Sequence, residues 1–162
     1  MTEQEFDGWP PAPRRTGRAD VSICISVHGA YHAMARRLTI ATQEMGLSGS
    51  EAIVLAYLLS DSGCAPANIR HAVGLHRSTL SSMLDRLEHK KLIRRKRSAW
   101  DGRRLEIDLT HTGRTAAAIA DGVIRDVEDE LAVFTSAADR LGADQVFAAC
   151  VAILWPGDQI DV

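Results

Sequence analysis

The segment HRSTLSSMLDRLEHKK, His76 to Lys91, narrows the folds open to this chain more than any other. Leu80, Met83, Leu84 and Leu87 follow the i, i+3, i+4, i+7 rule, so one face of a helix must be buried. The opposite face carries Arg77, Ser78, Ser81, Ser82, Asp85, Arg86 and His89, short hydroxyls and cations in place of the Glu/Lys mixture of an ordinary solvated helix. Such a face lets a backbone come close to something polyanionic. The next stretch, LIRRKRSAWDGRR, holds six Arg/Lys and one Asp in thirteen residues.

That concentration stands out because the 162-residue chain has a formal net charge of −2. Ala67 to Arg104 carries eleven Arg/Lys against Asp85, Glu88 and Asp101, a net +8, which leaves −10 for the rest. A near-neutral total thus hides a basic segment of the size phosphate binding needs, and an acidic remainder that disfavours other docking orientations. The apolar runs, such as VFAACVAILW, fall short of the roughly 20 residues of a membrane span. The N-terminus begins with acidic residues and has no apolar core, unlike a secretory signal, so a cytoplasmic protein is expected. Cys24, Cys64 and Cys150 are odd in number, widely spaced and without CxxC, which argues for reduced thiols over a disulfide framework or zinc ribbon.

Residues 1 to 19, rich in Pro, Gly, Arg and Glu without periodicity, read as a flexible arm. VSICISV alternates like a strand, but Tyr31, Met34, Ala35, Leu38 and Met45 keep helical spacing, and the long helix is the better reading of residues 20 to 46. Ser48 and Glu51 form a capping-box pattern for a helix ending near Ser60. Pro66 suits the first turn of a short helix, PANIRHAV, stopped at Gly74. After the His76 helix, Ile93 to Arg97 and Arg104 to Leu109 are strands around a turn at SAWDG. The second strand alternates Leu105, Ile107 and Leu109 against Glu106 and Asp108. Thr110 caps a long helix through Phe134, and a last amphipathic helix is expected after Gly142.

Helix, short helix, polar-faced helix and basic hairpin come in the order of a winged helix-turn-helix. A helix that enters a major groove about 12 Å wide needs short side chains with a few longer ones to reach base edges. Arg77, Ser78, Thr79, Ser82 and Arg86 meet that need, and Arg95, Lys96, Arg97, Arg103 and Arg104 supply wing cations for phosphates or the minor groove. Over Leu47 to Gly113 the sequence resembles the MarR family of bacterial transcriptional regulators. The likeness is carried by LSGSEAIVLAYL, by NIRHAVGLHRSTLSSMLDRLEHKKLIRR and by DGRRLEIDLTHTG, with D-x-R at Asp101 and Arg103 and L-T-x-x-G at Leu109, Thr110 and Gly113.

The resemblance implies a mainly α fold with a small β-hairpin wing, in which residues 47–110 form the DNA-binding lobe and residues 20–46 and 111–162 the dimerisation helices. It implies a homodimer that acts on a pseudo-palindromic operator in double-stranded DNA. A repressor, released by a small-molecule effector held among the first, second and fifth helices, is the expected function. In the family the wing Asp pairs with the Arg two residues on, which maps onto Asp101 and Arg103. Departures fall at Gly102, where a second Arg is frequent, at His76 and at Ala65, where small capping residues are commoner. Arg103 is therefore brace or probe, with Arg97 or Arg104 left to take phosphate.

Other readings compete at single residues. Cys24 has the spacing to Leu47-Ser48 of the sensing thiol in the peroxide-responsive branch of the family, with Tyr31 as a candidate orienting group. Its neighbours Ile23 and Ile25 equally suit an inert thiol. Cys24, His28 and His32 recur every four residues, but three ligands along one straight helix cannot converge on one ion, so no metal or other cofactor is expected. No G-x-S-x-G, P-loop or H-E-x-x-H occurs, which speaks against an enzyme. A helical protein-interaction module that has lost DNA binding is the remaining alternative; the polar helix face and basic wing speak against it.

Overall fold

The computed structural model describes residues 22–97 and 104–154. Helix α1 runs Ile23–Ala41 and continues into a 3-10 turn at Gln43–Met45. The others are α2 (Gly49–Ser60), α3 (Pro66–Val73), α4 (Arg77–His89), α5 (His111–Phe134) and α6 (Ala137–Leu154). Between α4 and α5 lie β1 (Ile93–Arg97) and β2 (Leu105–Leu109), an antiparallel pair with Arg95 opposite Ile107. The arm at residues 1–19 and the turn at SAWDG lie outside the described residues.

Local signals account for most boundaries. Ser48 Oγ accepts from the Glu51 amide at 3.2 Å while Glu51 Oε2 accepts from the Ser48 amide at 2.9 Å, the reciprocal capping box that starts α2. Thr110 Oγ1 accepts from the Gly113 amide at 3.0 Å and starts α5. Gly74, at φ +62°, ends α3 in the left-handed conformation that favours glycine, and Leu75 donates back to the Arg70 carbonyl at 3.2 Å. A sharp turn into α4 results.

Helix α4 ends in the same way but without a glycine. Leu92 donates to the Leu87 carbonyl and Lys91 to that of Glu88, the paired bonds of a Schellman motif, with Leu87 and Leu92 both buried behind it. Lys91 holds the left-handed position at φ 58°. A side chain there is strained by about 1–2 kcal/mol, so Lys91→Gly is expected to raise stability by about 0.5–1 kcal/mol after the entropy gained by the unfolded chain. Chemical denaturation checks this through an increased midpoint at constant slope.

The main core gathers Val54, Leu55 and Leu58 of α2, Ile69 of α3, the four apolar residues of α4, Ile93, Ile107 and Leu109 of the hairpin, and Ala116 and Ala117 of α5. The start of α5 thus packs in the same core as the residues before it. A second cluster, Leu38, Ala52, Ala56 and Ala120, joins α1, α2 and α5 through small side chains that let the helices approach closely.

Two expectations are corrected. Gly142 lies inside α6, because Ser136 and Asp139 cap the helix reciprocally: the Ser136 amide donates to Asp139 Oδ2 and the Asp139 amide to Ser136 Oγ. The alternation along β2 also fails at both ends. Leu105 is 40% exposed beyond the body of the lobe, while Asp108 is buried. Asp108 is covered by Arg94 and Lys96 from β1 and by Ser62 from the loop before α3.

Candidate nucleic-acid interface

Burial of Leu80, Met83, Leu84 and Leu87 turns Arg77, Ser78, Thr79, Ser81 and Ser82 outward on the N-terminal half of α4. Ser82 Oγ donates to the Ser78 carbonyl at 3.0 Å, which folds its hydroxyl along the helix and keeps the surface low. This half presents a narrow, polar ridge with one long cation.

The C-terminal half is held from two sides. Arg86 Nε donates to Glu51 Oε1 at 2.9 Å, and Lys90 Nζ approaches Glu51 Oε2 at 3.4 Å and the Gly46 carbonyl at 2.5 Å. Glu51 is 3% exposed. Burial pushes its carboxyl up, but the Ser48 amide, Arg86 and Lys90 together outweigh that and hold it below its ordinary value of 4.5. On the other flank the Arg95 guanidinium forks between Asp85 Oδ1 at 2.6 Å and Glu88 Oε2 at 2.7 Å. The Arg95 amide also donates to Glu88 Oε1 at 3.2 Å.

The remaining face of the hairpin is paired across the strands. Lys96 Nζ lies 3.0 Å from Asp108 Oδ2 and 3.5 Å from Glu106 Oε2, and Arg94 meets Asp108 at 3.4 Å. Burial acts against the charged form of Asp108, yet Lys96 and Arg94 hold its carboxyl below the ordinary 3.8. Carboxylates thus balance Arg94, Arg95 and Lys96 at the root of the wing. Arg97, at the end of β1, and Arg104, just before β2, are exposed.

Both lowered carboxyls have one consequence for stability. A group whose folded value is depressed stabilises the fold above its unfolded value, and that contribution is lost as pH falls through the folded value. Stability is therefore expected to drop as pH falls below about 4.5 for Glu51 and 3.8 for Asp108. Glu51→Gln should flatten that acid limb in denaturation midpoints measured from pH 7 to 3; an unchanged limb would remove Glu51 as its source.

The expected site residues therefore divide. Arg77, Ser78, Thr79 and Ser82 share one exposed surface, and Arg97 and Arg104 are each exposed, at the end of β1 and just before β2. Arg86, expected on the DNA-facing side of the recognition helix, and Arg95 and Lys96, expected as wing cations, are engaged by carboxylates of the chain itself. Asp101 and Arg103, the expected brace, lie outside the described residues, as do Trp100 and Gly102. Cys24 is exposed, and the Tyr31 hydroxyl, expected to orient it, hydrogen-bonds Ser50 Oγ at 3.1 Å. Burial pushes the Cys64 thiol up to about 11, as in an unreactive cysteine. His28 and His32 pack edge to face at 4.3 Å, and among the described residues no group of three His, Cys, Asp or Glu side chains could hold a metal ion.

Glu51 and Asp108 were not legible as anchors. Glu51 carried only its capping signal, although a carboxylate inside the apolar run EAIVLAYLL hints at a buried partner. Asp108 was masked by an alternation that pointed it to solvent.

A short helix and a polar-faced helix joined at a left-handed glycine, followed by a basic antiparallel hairpin, define a winged helix-turn-helix. Residues 38–118 match the family model described as transcriptional regulator SarA/Rot, and the chain belongs to this family of winged-helix regulators of the MarR type. Its fold matches MepR of S. aureus in its DNA-binding conformation with a TM-score of 0.71 at 22% identity, over 83% of this chain and 99% of that one. A MepR–DNA complex matches at 0.69 with the same identity and coverage, and MarR of Oenococcus oeni PSU-1 at 0.73, 18% identity, 80% of this chain and 98% of that one. The HTH-type transcriptional regulator TtmR of Methylorubrum extorquens (strain PA1) is 32% identical over 113 residues, 64% of this chain. That match spans 58% of TtmR, less than two thirds of its length. The family and these neighbours are transcriptional regulators, not enzymes. Among the described residues no helix is long and apolar enough to cross a membrane.

Proposed function

We propose that this protein is a homodimeric repressor that places the N-terminal half of α4 in the major groove of each half of a pseudo-palindromic operator. The observation that carries this reading is the exposed ridge of Arg77, Ser78, Thr79, Ser81 and Ser82 on a helix whose other face is fully buried. MepR, solved on DNA, shares the fold. Dimerisation is supported by apolar surface on α1 and the last two helices: Ile25 is 69% exposed, Phe134 72% and Ile153 76%. Among the described residues α6 adds none to either buried cluster, and its exposed Val151 and Ile153 suit a face covered by a second copy of the chain.

Release by a small molecule fits the seam where α1, α2 and α5 meet. There the second cluster is built of small residues, and Arg37 ties α1 to α5 through a two-bond pair with Glu130 at 2.8 and 3.1 Å. A ligand wedged into this seam would change the distance between the two α4 helices, which must match half-sites about one helical turn apart.

A salt titration on a duplex selected by the protein tests the interface. Each phosphate contact contributes about 0.9 to the slope of log affinity against log salt. Arg97→Gln with Arg104→Gln should lower the slope by about 2; an unchanged slope would take the outer wing out of the interface.

A further inference from the structure

We propose that Arg95 is a positioning residue: with Asp85 and Glu88 it clasps the wing to the recognition helix, so that helix and wing meet DNA as one rigid unit. The inference rests on the DNA-binding reading above and assigns a new role to one of its cations.

Four observations converge on the clasp. The two guanidinium nitrogens take separate carboxylates, Nη1 to Glu88 at 2.7 Å and Nη2 to Asp85 at 2.6 Å, a fork that fixes the plane of the group. Glu88 binds the same residue twice, through the guanidinium and through the main-chain amide at 3.2 Å. That amide belongs to the outer edge of β1, so the Glu88 carboxylate occupies the place another strand would take. The opposite edge of the hairpin is held as well. Ile107 of β2 donates to the Cys64 carbonyl at 3.0 Å and accepts from the Gly63 amide at 3.1 Å. The wing root is thereby pinned between α4 and the loop before α3. Finally, the Arg95 side chain is 25% exposed, the least of the wing cations paired here.

The position of the two acids sharpens the point. A carboxylate on the DNA-facing side of a recognition helix repels phosphate, so Asp85 and Glu88 cost affinity unless they do something else. The geometry supplies that role: they set the angle between α4 and β1, and so the distance between a major-groove helix and a wing bound one groove away. A free hairpin would have to be ordered on binding, with loss of affinity for the matched site but little loss for nonspecific DNA.

The test compares Glu88→Gln, Asp85→Asn and Arg95→Gln with the parent chain. Each is measured on a duplex recovered by selection from a random pool and on a nonspecific poly(dI-dC) duplex, over a salt series. The clasp predicts that Glu88→Gln and Arg95→Gln each weaken selected-duplex binding by about 5–10-fold, with the salt slope unchanged. Nonspecific binding by Glu88→Gln should be equal or tighter. The double variant Glu88→Gln with Arg95→Gln should lose less than the product of the two single losses, as partners in one contact do, whereas a general destabilisation would add. If removal of either acid leaves selected-duplex affinity unchanged or raises it, the clasp is overturned. A fall of about 1 in the slope for Arg95→Gln would also overturn it, because Arg95 would then be a phosphate contact. Should Arg95→Gln not fold, Glu88→Gln and Arg95→Lys carry the same comparison. Failure of the parent chain to bind any duplex in a salt-dependent way would instead overturn the DNA-binding reading itself.

Discussion

Gly113→Ala is expected to lower the free energy of unfolding by about 3 kcal/mol. A Cβ at Gly113 would fall on the Leu92 carbonyl oxygen and lie 2.8 Å from its carbon. Nothing there can yield cheaply. The oxygen is main chain, accepts from the Thr110 amide at 3.0 Å and from Thr110 Oγ1 at 3.1 Å, and belongs to the residue that closes the end of α4. Relief would move α5 away from the residue that leads into β1, or break the Thr110 cap. Gly122, further along the same helix, has nothing within 4 Å of such a Cβ, so the cost at Gly113 is one of contact and not of glycine as such. Urea denaturation of the variant should show a much lower midpoint; a loss below about 1 kcal/mol would mean that α5 is free to shift.

The second large effect is expected at Arg77. Arg77→Ala should weaken binding to the selected duplex by about 1–3 kcal/mol and relax preference at one base position, as loss of a base contact does. Arg77 stands at the first turn of α4, exposed, on the ridge of short side chains that lets a backbone approach base edges. Arg86 lies on the same helix but is held by Glu51, so Arg86→Ala should act through stability and leave the order of preferred sequences unchanged. Affinities on a panel of single-base variants separate the two. An equal loss at Arg77 on every sequence would make it a phosphate contact.

Features set within four residues of chain were legible in the sequence. The Ser48–Glu51 box, the Gly74 stop, the Thr110 cap and the apolar face of α4 each depend on neighbours three or four positions away, and each stands where the pattern puts it. The start of α6 was equally local, in Ser136 and Asp139, but Gly142 was weighed as a breaker although a single glycine inside a helix costs only about 1 kcal/mol. What pattern could not reach was the pairing of charges across elements. Arg95 and Arg97 are alike in sequence and share one face of β1. Only the packing of α4 against the strand decides that Arg95 meets Asp85 and Glu88, fixing its role by tertiary geometry. The same holds for Asp108, whose burial follows from the loop at Ser62 and Gly63 closing over β2.

The basic segment is consequently less uniform than its composition implies. At the wing root its cations are balanced by carboxylates of the chain itself, and the proposed function places DNA at the start of α4 and along the wing. Recognition on this account depends on two such surfaces held at a fixed distance.

Selection of bound duplexes from a random pool, with the mass of the selected complex determined in solution, tests that account most directly. The account predicts an inverted repeat with half-site centres about 10 base pairs apart, bound by two copies of the chain. Enrichment of a lone half-site on one copy, or no enrichment at all, would contradict it.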